Sequence, residues 1–401
     1  MRVAQGPAVA GAGRSGLARA TGVMVAGAAL VLGHLPAAAA QGSETAVYGW
    51  GSNYSGESDV PAELMGQTVT AIAAGGSSLE GQPYGHSLAL TSDGAVHAWG
   101  SGDRDQTNVP DELDGVAVID IAAGTDHSLA LTSDGEIHGW GSSTSGELDA
   151  PDELDGEEVI AVEAGSNFSL ALTASGDVHA WGNNQFGQTE VPGELEEETV
   201  LAISSTSNHS LALTEEGQVF AWGSDFAGQS TVPTALSGET VTDIAAGAQH
   251  SMALTSDGEV HVWGHNSQEQ LAVPEELDGE TVTAIAAGGV NVAAGGHAVA
   301  LTEAGEIHAW GNNSNGQSEI PDELDGMTVT VVSAGAVHTL AIAEPSDTPP
   351  GGGSLPGGSL PGGSLDEGSL GESGSMAALG SLVLGGAGIA GAIWAVQNGL
   401  L

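Results

Sequence analysis

Three observations predict an all-β fold, a seven-bladed β-propeller. The word Trp-Gly occurs seven times, at Trp50, Trp99, Trp140, Trp181, Trp222, Trp263 and Trp310. A proline follows each tryptophan by eleven residues, from Pro61 to Pro321. Successive tryptophans are 49, 41, 41, 41, 41 and 47 residues apart. A period near forty marks an array of small supersecondary units, none able to bury its own apolar face alone.

The cleanest unit runs over residues 239–265 and reads as three strands. Strand A is expected over Val241–Ala246, strand B over His250–Thr255 and strand C over 259–264. Asp257-Gly258 between B and C is a tight hairpin signal, matched by Asp93-Gly94, Asp134-Gly135, Ser175-Gly176, Glu216-Gly217 and Ala304-Gly305. A short strand D ending at the proline is expected at the outer edge, where a missing N–H does no harm. Strand B alternates small and large residues, as in Ser87-Leu-Ala-Leu90 and Ser128-Leu-Ala-Leu131. That pattern suits sheets stacked face to face, the large side of one meeting the small side of the next.

The count of strands predicts how the ring closes. Residues 47–51 form a strand C with no A or B before it. Residues 329–334 and 338–343 form an A and a B with no C after them. The last blade is therefore expected to be completed by N-terminal C–D and C-terminal A–B strands, which removes the free edges of a linear array.

Outside residues 45–344 the composition changes. Residues 1–40 hold three arginines, no acid, an apolar run at 23–32 and Ala37-Ala-Ala-Ala40, the pattern of a secretory signal. Residues 345–375 are a Gly, Ser, Pro and Leu linker. Residues 376–396 are uncharged, apolar and long enough to span a bilayer, so a membrane anchor is expected. The protein is then exported and held at the cell surface, its propeller monomeric.

Charge excludes one class of partner. The chain has 52 acids and four Lys or Arg, and cleavage after residue 40 leaves Arg104 alone. Such a surface repels nucleic acid, whose binding depends on basic side chains neutralising phosphates. It suits a salty medium, which screens the self-repulsion. With no cysteine, disulfides and thiolate metal sites are excluded.

The words Gly-x-x-His-Ser-Leu-Ala-Leu-Thr, Asp-Gly-x-Val-x-x-Trp-Gly and Asn-x-x-Gly-Gln-x-x-Val-Pro recur through residues 45–344, the last at 184–192 and, with Ile for Val, at 313–321. They resemble the regulator-of-chromosome-condensation repeat. The short blade is most similar to secreted bacterial members, which include a propeller-type β-lactamase inhibitor. The resemblance implies the propeller fold and a choice of activities. Nuclear members exchange nucleotide on a small GTPase, and the secreted inhibitor blocks class A β-lactamases. An exported chain with one arginine and no exchange wedge fits the first poorly. The A–B loops hold one aromatic beyond the repeated histidine, Phe168, where the inhibitor's are rich in them. The favoured reading is a non-enzymatic, exported protein-interaction module. Inhibition of an enzyme such as a class A β-lactamase is the alternative, and nucleotide exchange a distant one.

Catalytic chemistry is not expected. His-Ser recurs at His86, His127, His209 and His250, and neighbours on a strand point to opposite faces, so the two cannot form a nucleophile–base pair with each other. The histidines two before tryptophan share their slot with Tyr48 and Phe220, which argues for packing over metal ligation. The acidic Pro-Asp-Glu-Leu-Asp-Gly words lack the spacing of a calcium loop. No metal and no cofactor are called for.

A binding surface is predicted on the face of the A–B and C–D loops. There the connections 75–86 and 288–297 are eight and six residues longer than usual, in the first and sixth units. Insertions on one face of a repeat protein commonly form its binding surface. Candidate contacts to a protein or glycan are Tyr84, Gln82 and Asn291 in these insertions, Phe168 in an ordinary A–B loop, and Tyr54, Arg104, Phe186 and Phe226 in C–D loops, with Tyr84 as the anchor.

Overall fold

The computed structural model describes residues 45–79, 82–290 and 295–346. The predicted signal, linker and apolar tail lie outside them, as does Asn291. Among the described residues no helix is long and apolar enough to cross a membrane.

Seven antiparallel sheets of three strands make the ring. The first blade is β2 (Val69–Leu79), β3 (Gln82–Thr91) and β4 (Val96–Gly100), and the second is β5 (Val118–Ala123), β6 (His127–Thr132) and β7 (Ile137–Gly141). The third is β8 (Val159–Ala164), β9 (Phe168–Thr173) and β10 (Val178–Gly182), and the fourth is β11 (Val200–Thr206), β12 (His209–Thr214) and β13 (Val219–Gly223). The fifth is β14 (Val241–Ala246), β15 (His250–Thr255) and β16 (Val260–Gly264), and the sixth is β17 (Val282–Gly289), β18 (Gly296–Thr302) and β19 (Ile307–Gly311). The seventh joins β20 (Met327–Ala334) and β21 (His338–Pro345) to β1 (Ala46–Gly51), with Tyr48 opposite Ala341. The two ends of the repeat region thus close the ring as expected. Strand A of each blade neighbours that of the next, and β20 returns to β2.

Strand D is not formed. The segment after each strand C turns on itself, and a short 3-10 helix follows the proline, such as Asp111–Leu113 after Pro110. The cause is local. Gly100 leaves β4 at φ +97°, and the next groups bond among themselves, Asp105 N–H to Gly102 C=O and Asn108 N–H to Asp105 C=O. No extended row of N–H and C=O remains for a fourth ladder. The acidic words form these 3-10 turns, with the leucine buried and the acids in solvent.

The core lies in the seams between blades. Leu88 and Leu90 of the first blade cluster with Ile121, Ala130 and Trp140 of the second. Leu129 and Leu131 of the second meet Val162, Ala171 and Trp181 of the third. Large residues of one sheet thus fill the small face of the next, and every residue of β6 is buried. Each strand A also carries a one-residue bulge near its start, as between Val118 and Asp120. An extra residue there bends the strand and re-aims its side chain.

Candidate binding surface

The inner histidines hold the ring together. His86 Nε2 lies 3.0 Å from Ser128 Oγ in the next blade, and His127 Nε2 lies 3.2 Å from Ser169 Oγ. The same link joins His209 to Ser251, His297 to Thr339 and His338 to Ser87. Ser128 Oγ donates to Gln106 C=O, which also accepts the Trp140 indole N–H at 2.9 Å. One C–D carbonyl is therefore stapled by the serine and the tryptophan of the following blade. Since each serine donates to a carbonyl, it accepts from histidine, which carries its proton on Nε2. The histidines are fully buried, and burial pushes His86 down to about 3 and His127 to about 4. They are neutral structural links. Sequence reasoning placed them in the packing but missed that five of the six pair across a seam, His250 being the exception.

The first long connection is not a loop. Strands β2 and β3 continue as an antiparallel arm, with Gly76 opposite Gly85, Ser77 opposite Tyr84 and Leu79 opposite Gln82. Glycine is required where the arm leaves the blade. Gly76 has φ +123°, and a Cβ there would lie 2.4 Å from Tyr84 O. A Cβ on Gly85 would meet the His338 ring at 2.9 Å. Backbone N–H of Gly76 also bonds Gly124 C=O at the end of β5, tying the arm to the second blade. The other insertion extends β17 and β18 as far as Gly289 opposite Gly296.

This arm brings two predicted residues together. The half-buried Tyr84 hydroxyl lies near the Asp126 carboxylate and the Ser77 hydroxyl, and Arg104 lies within electrostatic reach of both Tyr84 and Asp126. Burial, and then the Asp126 charge, push the Tyr84 hydroxyl up to about 12. Burial raises Asp126 as well, while Arg104 and Tyr84 oppose that rise. The phenol therefore stays protonated, a hydrogen-bond donor with a flat apolar face rather than a nucleophile. Arg104 is the one Lys or Arg among the described residues. Asp126, an unremarkable loop residue in the sequence, is the part that reasoning from insertions missed.

The remaining candidates separate. Phe186 and Phe226 meet edge to face with ring centroids 5.6 Å apart, joining the C–D loops of the third and fourth blades. Phe226 is 83% exposed, and Tyr54, on the C–D loop after β1, is 68% exposed. Gln82 is placed by its backbone in β3, and its side chain is outside the described residues. Phe168 corrects the prediction. It occupies the inner histidine slot at 0% exposure and fills the space over Gly165, so it offers nothing to a partner.

The space inside the ring is too small for an organic ligand. A cavity of about 60 Å³ is lined mainly by alanines and hydroxyls, with Glu163 as its one charged residue. Burial and the nearby Asp120 hold Glu163 well above the usual carboxylate range. No group of three or more metal-ligating side chains is found among the described residues.

Known proteins agree with this geometry. The family model of the RCC1-like domain matches residues 107–349, and that of the regulator of chromosome condensation (RCC1) repeat matches residues 84–106. No curated protein matches the chain. Among solved structures it is similar to Prp20p of Saccharomyces cerevisiae, studied for its binding to Gsp1p and histones. The TM-score is 0.61 at 19% identity, covering 76% of this chain and 93% of Prp20p. Human WBSCR16 gives 0.60 at 19% identity, over 75% of this chain and 98% of its own. The CRINKLY WD40 ectodomain of the Arabidopsis thaliana receptor kinase ACR4 gives 0.50 at 20% identity, over 67% and 91%. At these identities the structures speak for the fold, and the family models speak for descent: the chain belongs to the RCC1-like domain family.

Proposed function

We propose that the chain is a non-enzymatic, exported protein-binding propeller whose A–B and C–D loop face meets its partner. The observation that carries this reading is the Tyr84 arm. A half-buried tyrosine next to Asp126 and Ser77, within electrostatic reach of Arg104, places an aromatic face near a cation. Tyrosine and arginine are the residue types that most often dominate interface energy. Tyr84 is already half-buried on the arm, which lowers the entropy cost of ordering it on docking. Propellers of this fold are used for protein contacts elsewhere, as in Prp20p with Gsp1p and histones.

The test compares capture of cell-surface and secreted proteins by the wild-type chain with capture by Tyr84→Ala and Arg104→Ala variants. A partner retained by wild type should bind each variant about ten-fold or more weakly, the loss typical of an interface anchor. Equal affinity in both variants would remove this face as the site. Export is tested by N-terminal sequencing of the native protein, which should start near residue 41. A start at Met1 would count against it.

A further inference from the structure

The opposite face of the ring carries a second feature that the insertions do not predict. The seven bulge residues at the start of strand A are Thr70, Ile119, Ile160, Leu201, Thr242, Thr283 and Thr330. Four are threonines whose hydroxyls bond back to strand B, as Thr70 to Leu90 C=O and Thr330 to Ile342 C=O. The second, third and fourth blades instead place partly exposed apolar residues there, Ile119, Ile160 and Leu201.

Two cavities open at this place. One of about 720 Å³ spans the seventh, first and second blades and is lined by Val69, Ala71, Val118, Ile119, Val331 and Ile342 among others. The other, of about 880 Å³, lies between the second and third blades. The two share Ile119 and Ser133 in their linings, so they adjoin along this groove of the face. Both fall in the size range of ligand-binding clefts. The second cavity is rimmed by exposed acids, Asp134, Glu136, Asp155, Glu157 and Glu158. No Lys or Arg faces them, since Arg104 is on the other side of the ring.

We propose that this groove binds an extended cationic, amphipathic peptide segment of a partner. Its apolar side chains lie over Ile119 and Ile160, and its Lys or Arg side chains meet the acidic rim. The occupant follows from shape and charge. Adjoining clefts over three seams suit a chain rather than a compact molecule, and an apolar floor with a carboxylate rim complements alternating apolar and basic residues. This site is distinct from the Tyr84 face and does not depend on it.

The test measures binding of three twelve-residue peptides to the full chain by calorimetry at fixed salt: alternating Leu-Lys, alternating Ser-Lys and alternating Leu-Glu. The Leu-Lys peptide should bind about ten-fold tighter than Ser-Lys, with Leu-Glu not binding. The Ile119→Thr/Ile160→Thr variant should lose about five-fold or more for Leu-Lys alone, while Tyr84→Ala changes nothing. Threonine fills the same bulge in four blades, so the double variant is expected to fold. As a second readout, a photoreactive leucine in the Leu-Lys peptide should label wild-type segments containing Ile119 or Ile160. Equal binding of Leu-Lys and Ser-Lys, an unchanged affinity in the double variant, or labelling confined to other segments would each overturn the proposal.

Discussion

The histidine–serine links are interrupted at two seams, and each interruption has a single cause. Phe168 replaces histidine in the third blade, so Ser210 receives nothing from it. Ala298 replaces serine in the sixth, and both ring nitrogens of His250 are left without a partner. Restoring the hydroxyl with Ala298→Ser should let it accept from His250 Nε2 and donate to Gln270 C=O, which already takes the Trp310 indole. A gain of about 1–2 kcal/mol is expected for the two bonds, read as a higher midpoint in urea. No gain would mean that the serine cannot reach both partners. The same histidines set an acid response. Burial lowers His86, His209 and His297 to about 3 and His127, His250 and His338 to about 4. The unfolded chain takes up protons near 6.5 while the folded chain refuses them, so stability is held above 6.5 and falls as pH drops towards 4. Asp120 and Asp243 act oppositely. Burial raises both to about 7, so they favour the folded state increasingly as pH falls from 7 towards 3.8. Six histidines outnumber these carboxyls, and urea midpoints should fall from pH 7 to pH 4. His127→Phe, which copies Phe168, should make that fall shallower. An identical slope in the variant would assign the acid response elsewhere.

Strands A, B and C were legible because each carries a side-chain pattern that neighbouring sheets must satisfy. The Trp-Gly word is readable for the same reason. The indole reaches the preceding blade, and the glycine turns the chain where a Cβ would strike backbone, as at Gly182, 2.6 Å from Asn167 O. Strand D was not legible because its expected evidence, a proline at an edge, fits a 3-10 turn equally well. The bulges were hidden since Thr70 and Ile119 look like ordinary members of an alternating strand. At the binding surface, length alone exposed the Tyr84 arm, whereas Asp126 becomes visible only when β5 and β6 bring it beside that arm. The phenylalanine in an A–B loop looked like an exposed contact, although it stands before Ser169-Leu-Ala-Leu172 in the repeat's histidine slot, where its burial shows that it packs as the histidines do. The arm adds little to the seams. Replacing residues 76–85 by the Thr-Asp of the second blade's loop should leave the thermal midpoint within about 3 °C, because few core contacts are lost. Scanning calorimetry checks this, and a collapse of the midpoint would make the arm part of the ring's structural closure.

The ring as a whole couples its two ends through β1, so the seventh blade depends on residues at the start of the propeller. Trp50 donates to Gln317 C=O across 267 positions of sequence. Trimming the chain to residue 52 would remove β1 and expose the edge of β21, an unpaired edge that favours aggregation. The closed ring also gathers its charge. The 3-10 turns put Asp111, Glu112, Asp152, Glu153, Asp322 and Glu323 on one face, and neighbouring blades repeat the pattern around the axis. Only Arg104 offsets these acids among the described residues, and the chain's formal charge is −48. Repulsion among exposed charges is screened over about 10 Å at 0.1 M salt and about 3 Å at 1 M. Spreading the acids apart by unfolding relieves the same repulsion at low salt. Folding stability should therefore rise with sodium chloride most steeply at low concentration, and potassium chloride should act alike because no specific site is involved. Thermal midpoints measured from 0.02 to 2 M of each salt test this. A midpoint indifferent to salt would show that the acids are too dispersed to matter, and a response to one cation alone would point to a bound ion instead of screening.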